Sequence, residues 1–368
     1  MRFGAFIPQG WRYDLAGIPT QEHWPTMKRI ALLIESLGFE SAFIYDHFHT
    51  FPRPGPDPKT PPISSDVSAE DQTKATRPIL GGVVPESHTV PKPTQEVTYE
   101  AWTLMAALAA VTDTVRLGQM CTCNSYRPPS YLAKVAANID VISGGRVEMG
   151  IGAGWYEHEY LGYGYEFPKA SIRIGMLREA VEIMQRMWTE EEVTYEGKHY
   201  QLAGAISQPK PVQKPHIPFW IAGGGEQLTL NVAARYASYT NFGGTVEEFN
   251  HKSEVLAGHC LDVGRDFESI TRSTNFNIII GETETDVQEK TDWIVGHLGR
   301  LIGEQRAERS LRNFTGPGGL VGTPEQIVET LQSWGAAGMD YAIVYFADAA
   351  YDPSSLQLFA SQVAPELS

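Results

Sequence analysis

The sequence predicts an α/β chain folded as a (β/α)8 TIM barrel with insertions, and three observations carry that expectation. Eight short apolar or β-branched runs alternate with segments of helical periodicity, the pattern that a parallel sheet with crossover helices imposes. The stretch 115–164 contains one whole βαβ unit. In it VRLGQMC is a strand, Tyr131, Leu132, Val135, Ala136, Ile139 and Ile142 recur at helical spacing, Gly144 and Gly145 end the helix, and VEMGI is the next strand. Two parallel strands thereby deliver the loops 119–130 and 152–169 to one edge of the sheet, where such folds place ligands. No short-period repeat, coiled coil or low-complexity tract competes with this reading.

The elements follow in order. RFGAFI is a first strand, and Met27, Ile30, Ala31, Ile34 and Leu37 line one face of a helix that stops at Gly38. FESAFIYDHFH is the second strand, with Asp46 and His47 where it breaks into a loop. The segment 51–93 holds ten of the 24 prolines and few aliphatic clusters, so it reads as a long insertion lying over the barrel mouth and limiting access. A helix over 98–112 precedes the central unit. After the glycine loop, Ile174, Leu177, Val181, Met184 and Trp188 form an amphipathic helix. VTYEGKHYQL is a hairpin outside the repeat, and HIPFWIAGGGEQLTLNVAARYA is again strand, glycine turn and helix. SYTNFG, SITRSTNFNIII and MDYAIVYF are the sixth to eighth strands, and Thr323-Pro324-Glu325-Gln326 has capping-box spacing with proline at the first helical position.

A chain of 368 residues could form two domains, but this pattern favours one barrel domain over 1–368. Its 42% hydrophobic content, without a cationic leader or a membrane-length apolar run, suggests a cytoplasmic globular protein. A net charge of −15 opposes nucleic acid and anionic membranes as partners, leaving a small-molecule substrate. Cys121, Cys123 and Cys260 make neither a disulfide framework nor a four-ligand zinc site, so no metal is expected from them.

Asp46-His47 at a strand end suits a general acid or base near neutral pH; it equally suits a turn whose side chains satisfy backbone groups. With His49 the same run could ligate zinc, as in a metal-dependent barrel hydrolase, although no further ligands stand at other strand ends. Gly152-Ala153-Gly154 reads as a tight turn or a ligand loop. The run Gly223–Gly225 between strand and helix could bring backbone N–H groups to an anion, and it lacks the Walker lysine. Glu157-His158-Glu159 reads as a solvated rim.

Several blocks together resemble the bacterial-luciferase-like flavin- and deazaflavin-dependent enzymes: YDHF, Tyr126-Arg127-Pro128-Pro129 with LAKVAANIDVISGGR, GIGAGWYEHEY, and PKPVQKPHIPFWIAGGGE with TLNVAARYA. They are most similar to the branch using the deazaflavin coenzyme F420. The resemblance implies a barrel with the cofactor ring near the strand ends and a non-proline cis peptide in the third strand, here Met120-Cys121, with Thr122 beside it. It implies catalytic roles for Asp46 and His47 beside the redox carbon. Gly152, Ala153, Gly154 and Trp155 would lie at the ring, and Ala222, Gly223, Gly224 and Gly225 would cradle the cofactor phosphate. Sugar-phosphate dehydrogenases of the family carry glutamate where this chain has Trp155, which argues against that substrate. Tyr236-Ala237-Ser238-Tyr239 also departs from the usual Ala-Asp-Gly pattern there.

The activity implied is hydride transfer between F420 and a small organic substrate. The alternatives are an FMN-dependent monooxygenase using reduced flavin and O2, the metal-dependent hydrolase, and a non-catalytic flavin-binding protein. A homodimer is compatible with the family, and a reductase partner is required only with FMN. Arg127, Lys134, Arg146, Lys169 and Arg173 flank the predicted mouth and could offset the overall negative charge for the anionic tail of F420.

Overall fold

The computed structural model describes residues 1–50 and 96–367. The proline-rich segment 51–93, expected over the mouth, lies outside the described residues. The chain opens with β1 (Arg2–Phe6), α1 (Thr20–Ser36) and β2 (Ser41–Ile44), then continues with α2 (Ala101–Ala109), β3 (Arg116–Gln119) and β4 (Thr122–Cys123). Next come α3 (Pro129–Ser143), β5 (Val147–Gly152), α4 (Glu157–Gly162), α5 (Ala170–Thr189), the β6–β7 hairpin (Val193–Glu196 and Gln201–Ala205), β8 (Phe219–Ala222) and α6 (Thr229–Tyr236). The last third is β9 (Tyr239–Asn241), α7 (Val246–Val263), β10 (Thr271–Ile280), α8 (Glu284–Ile302), α9 (Glu304–Thr315), β11 (Gly319–Gly322), α10 (Pro324–Ala336), β12 (Tyr341–Phe346) and α11 (Ser354–Leu358).

Eight strands pair in parallel in the order β1, β2, β3, β5, β8, β9, β10, β12, and β12 returns to β1. This closed parallel cylinder is the predicted (β/α)8 barrel. β4 extends β3 and pairs with β5. One strand was not foreseen: β11 pairs with Asn277–Ile280 of β10, continuing the edge that β9 occupies at Thr271–Ser273. It exists because β10 is ten residues long and outruns the three-residue β9, leaving backbone groups that need partners.

Local chemistry sets the ends of the helices. Thr245 and Glu248 form a reciprocal capping box on α7, as do Thr283 and Asp286 on α8 and Thr323 and Gln326 on α10. The helix expected over 98–112 is shorter, Ala101–Ala109, because the Glu100 carboxylate accepts the N–H groups of Trp102 and Thr103 at 3.2 and 2.7 Å and so starts the helix there.

Alternation along each strand separates two cores. Phe3, Ala5, Ala42, Ile44, Leu117, Val147, Met149 and Ile151 face outward onto the helices. Phe6, Phe43, Met120, Trp220, Tyr341, Ile343 and Tyr345 belong to the inner cluster. Phe43 fills the lumen edge-on to Trp220, with centroids 5.2 Å apart. It has room because Gly4 and Gly118 face it: a Cβ on either would come within 2.5 or 2.8 Å of its ring. Trp220 stacks on Tyr239 at 4.1 Å, so the tyrosine that departs from the family pattern is a floor residue. Below, buried Glu148 is held by Arg116 at 2.7 Å and Ser41 at 3.0 Å. The lumen is therefore plugged by these side chains.

Replacing Phe43 by Ala should leave a cavity among Trp220, Tyr341 and the two glycines. The expected loss is about 3–5 kcal/mol of stability, seen as a lower urea midpoint; a change under about 1 kcal/mol would show that the lumen is not a packed core.

Candidate active site

At the end of β2 the chain leaves the sheet through Tyr45, Asp46 and His47, and successive side chains go to different partners. Asp46 is buried, and both of its oxygens are engaged. Arg127 donates to them in a fork at 2.7 and 2.9 Å, and the Cys123 N–H donates at 2.8 Å. Arg127 also reaches Glu100 at 2.5 Å. Burial works against the Arg127 charge, and the two carboxylates outweigh it and raise its pKa. Asp46 thus clamps the second strand end to the loop after the third, and its oxygens have protein donors already.

His47 finds its carboxylate elsewhere. Its Nδ1 lies 2.9 Å from Oε2 of Glu159, which is fully buried on α4. Glu159 also accepts from Tyr126 Oη at 2.7 Å and from the N–H groups of Phe48 and His49 at 2.7 and 3.2 Å. Burial alone would raise the carboxyl pKa; His47, Tyr126 and the Phe48 amide outweigh it and lower it. An ionised Glu159 requires a donor at Nδ1, which leaves Nε2 as the ring nitrogen that can exchange a proton. The imidazole is sandwiched in place, stacked on Trp11 at 3.8 Å and edge-on to Trp155 and Tyr156 at 6.0 and 5.6 Å.

The reading of Glu157-His158-Glu159 as a solvated rim fits exposed Glu157 and is corrected for Glu159: the loop 152–169 contains α4, and one turn of helix swings Glu159 and Tyr160 inward. A three-residue charged run has no periodicity to reveal this. His49, considered as a partner of His47 for zinc, pairs instead with His158, Nε2 to Nδ1 at 2.8 Å. Burial lowers the pKa of both rings, so one neutral imidazole donates to the other. Among the described residues no three His, Cys, Asp or Glu side chains are grouped as metal ligands.

Opposite His47, the Met120–Cys121 peptide is cis, as the family resemblance implied. Met120 joins the lumen cluster, and the Cys121 sulfur approaches Gly152 so closely that a Cβ there would lie 2.8 Å away. Burial pushes the thiols of Cys121 and Cys123 up to about 12, so both present neutral sulfur. The Thr122 hydroxyl is taken by Gln119. Gly154 has φ +77, and a Cβ on it would fall 2.0 Å from Tyr160 Oη, a position open only to glycine. Arg173 secures this loop through the Gly154 carbonyl at 3.2 Å, and Tyr160 bonds the Ala153 carbonyl at 3.4 Å. Trp155 follows, 48% exposed, at the mouth beside His47.

Across the mouth, Ala222 ends β8 and the three glycines follow. The Gly223 N–H bonds the Asn241 carbonyl at 2.9 Å, whereas the N–H groups of Gly224 and Gly225 have no acceptor among the described residues. Lys252 from α7, 2% exposed, brings Nζ to 3.0 Å from where a Gly224 Cβ would stand. Two amides without acceptors and a buried ammonium make a cradle suited to a phosphate. Lys252 was missed because it lies on a helix with no motif around it.

The expected ring of cations is largely redistributed. Arg127 and Arg173 are bound within the site, and Lys134 donates to the Gln208 carbonyl. Arg146 sits at the other end of β5, holding the carbonyls of Ala109, Thr112, Val115 and Ser143. Its place just before the strand, rather than after it, put it at the wrong end of the barrel.

The luciferase-like monooxygenase family profile matches residues 81–341. An uncharacterised protein of Mycobacterium tuberculosis is 30% identical over 218 residues, 59% of this chain and 67% of the relative. An F420-dependent glucose-6-phosphate dehydrogenase of Nocardia farcinica is 28% identical over 73% of this chain and 82% of its own. The pyrimidine monooxygenase RutA of Stutzerimonas stutzeri is 31% identical over 52% and 53%. Among solved structures, an F420-dependent secondary alcohol dehydrogenase in complex with an F420-acetone adduct superposes with TM-score 0.71 at 16% identity, covering 100% of this chain and 99% of that one. Monooxygenase RslO1 from Streptomyces bottropensis gives 0.74 at 20%, covering 100% of both chains. These two likenesses concern the fold. The chain belongs to the luciferase-like monooxygenase family, and is an oxidoreductase of that class.

Glu159→Gln tests the electrostatic account. A folded-state pKa below the unfolded one means that the unfolded chain binds more protons as pH falls, so the contribution is full above the unfolded carboxyl value near about 4.3 and is lost as pH falls through the folded one. The variant should be less stable by about 2 kcal/mol at pH 7, with the gap to wild type closing on acidification; a gap constant with pH would contradict it.

Proposed function

We propose that this luciferase-like oxidoreductase transfers hydride between coenzyme F420 and a small organic substrate, with His47 moving the proton. The observation that carries the reading is the orientation of His47: Nδ1 is fixed on a buried, ionised Glu159, and Nε2 makes no hydrogen bond among the described residues. A ring held this way accepts a proton at Nε2 when a substrate hydroxyl is oxidised and returns it when a carbonyl is reduced. F420, when bound, supplies the hydride acceptor or donor. Glu159 and Trp11 orient the imidazole, and Asp46 acts by positioning, through Arg127 and the Cys123 amide. Gly152 and Gly154 let Cys121 and Tyr160 pack directly on the loop that would face the ring, and Gly224, Gly225 and Lys252 would hold a phosphate.

The relatives support this reading through the Nocardia farcinica dehydrogenase, matched over 82% of its length. They also support a second reading, an FMN-dependent monooxygenase, through the 31% identity to RutA. A phosphate cradle serves either cofactor, so the choice rests on measurement. Fluorescence titration should show F420 binding at least about tenfold more tightly than FMN. Equal affinities, or tighter FMN with substrate-dependent oxygen uptake, would establish the monooxygenase.

With the cofactor identified, His47→Ala should lower turnover by roughly 100-fold or more, with cofactor affinity little changed because the phosphate cradle lies across the mouth. Retained turnover would remove His47 from the chemistry.

A further inference from the structure

The loop that follows β1 folds back over the mouth at Gly10, which has φ +102 and packs on the Val97 carbonyl so closely that a Cβ would lie 2.1 Å from it. The Asp14 carboxylate fixes the turn by accepting the N–H groups of Gly10 at 2.6 Å and Gln9 at 3.3 Å. Trp11 and Arg12 are thereby presented side by side. Trp11 stacks on His47, and Arg12 lies over the Tyr345 ring at 3.9 Å, with Phe314 at 5.8 Å.

Among the described residues the Arg12 guanidinium donates from Nη1, to Asn277 Oδ1 at 2.5 Å and Tyr45 Oη at 3.3 Å, and both acceptors are neutral. Nε and Nη2 have no acceptor among the described residues, and Arg12 forms no ion pair there. The nearby Asp14 carboxylate is occupied by backbone amides, with its other oxygen 3.5 Å from Tyr345 Oη. The other site arginines are paired: Arg127 with Asp46 and Glu100, Arg173 with carbonyls. A desolvated guanidinium against aromatic walls, with two donor positions open, is costly unless an anion arrives, and its planar fork matches a carboxylate. That anion is not the one the glycine cradle serves. Arg12 touches β10 and β12 side chains, while the cradle follows β8, two strands from β10 and three from β12 in the barrel order.

We propose that Arg12 binds a carboxylate group of the substrate, so that the substrate is a planar organic acid anchored on the β1, β10 and β12 side with its reacting carbon toward His47. This rests on the reading of His47 as the proton-transfer group and holds for either cofactor.

The test uses the protein without cofactor and two probes of one shape, benzoate and benzamide, followed by tryptophan fluorescence and by calorimetry. Benzoate should bind at least about tenfold more tightly than benzamide, with added salt weakening only benzoate. Arg12→Met should bring benzoate to the benzamide level, Arg12→Lys should retain part of the difference, and F420 and FMN titrations should be unchanged in both. Equal affinity for the two probes in wild type, no benzoate binding, or undiminished binding by Arg12→Met each overturns the proposal, and the wild-type comparison needs no variant to fold. A tenfold loss of cofactor affinity in Arg12→Met overturns it too, assigning the guanidinium to the cofactor. Benzoate binding that survives His47→Ala, in a protein whose turnover also survives, would retire the role of His47 while leaving the anion site intact.

Discussion

The site depends on a carboxylate that has been taken out of water. Glu159 is worth burying only if its lone pairs are met, and the donors that meet them come from the end of β2 and from the loop after β4. Each donor is therefore placed by the others. Tyr126 cannot move without uncovering the charge, and the Phe48 and His49 amides hold the departing strand in one conformation. Asp46 performs the matching task on the opposite side through Arg127 and the Cys123 amide. The adjacent residues Asp46 and His47 are thus pinned in two directions, and the strand end that carries them has little freedom left.

The barrel was legible because its signal is repeated: alternation and helical spacing recur unit after unit, and one weak strand does not upset the count. The cis bond at Met120-Cys121 and the glycine loops came through family resemblance, since their residue types alone admit ordinary turns. What escaped was non-periodic. α4 is six residues long, too short for spacing to show which charge turns inward, so Glu159 looked like a surface residue. Lys252 looked like any helix lysine, and only the fold brings it under Gly224. Arg146 and Arg127 are both arginines near apparent loops, yet one serves helix carbonyls below the sheet and the other a carboxylate above it. Sequence shows that a charge exists, and burial partners decide what it does.

Charge is distributed in the same spirit. A chain of net charge −15 nevertheless concentrates guanidinium and ammonium groups around its mouth, at Arg12, Arg127, Arg173 and Lys252. Arg127 and Arg173 are consumed by the architecture, through Asp46 and the Gly154 carbonyl, and Lys252 reaches the Gly243 carbonyl at 3.5 Å. What each cation does follows from its partners and not from exposure, because all four are buried or half-buried.

The plug of Phe43, Trp220 and Tyr341 has a further consequence. It makes the reaction chamber a dish and not a shaft: molecules that enter must lie across the strand ends, since depth is denied to them. A dish with a fixed floor sets no limit on the length of what rests in it, only on what the surrounding walls let extend sideways. Proteins built on such a floor can change the molecules they accept by altering loops alone, while the packing that keeps the barrel folded is left untouched.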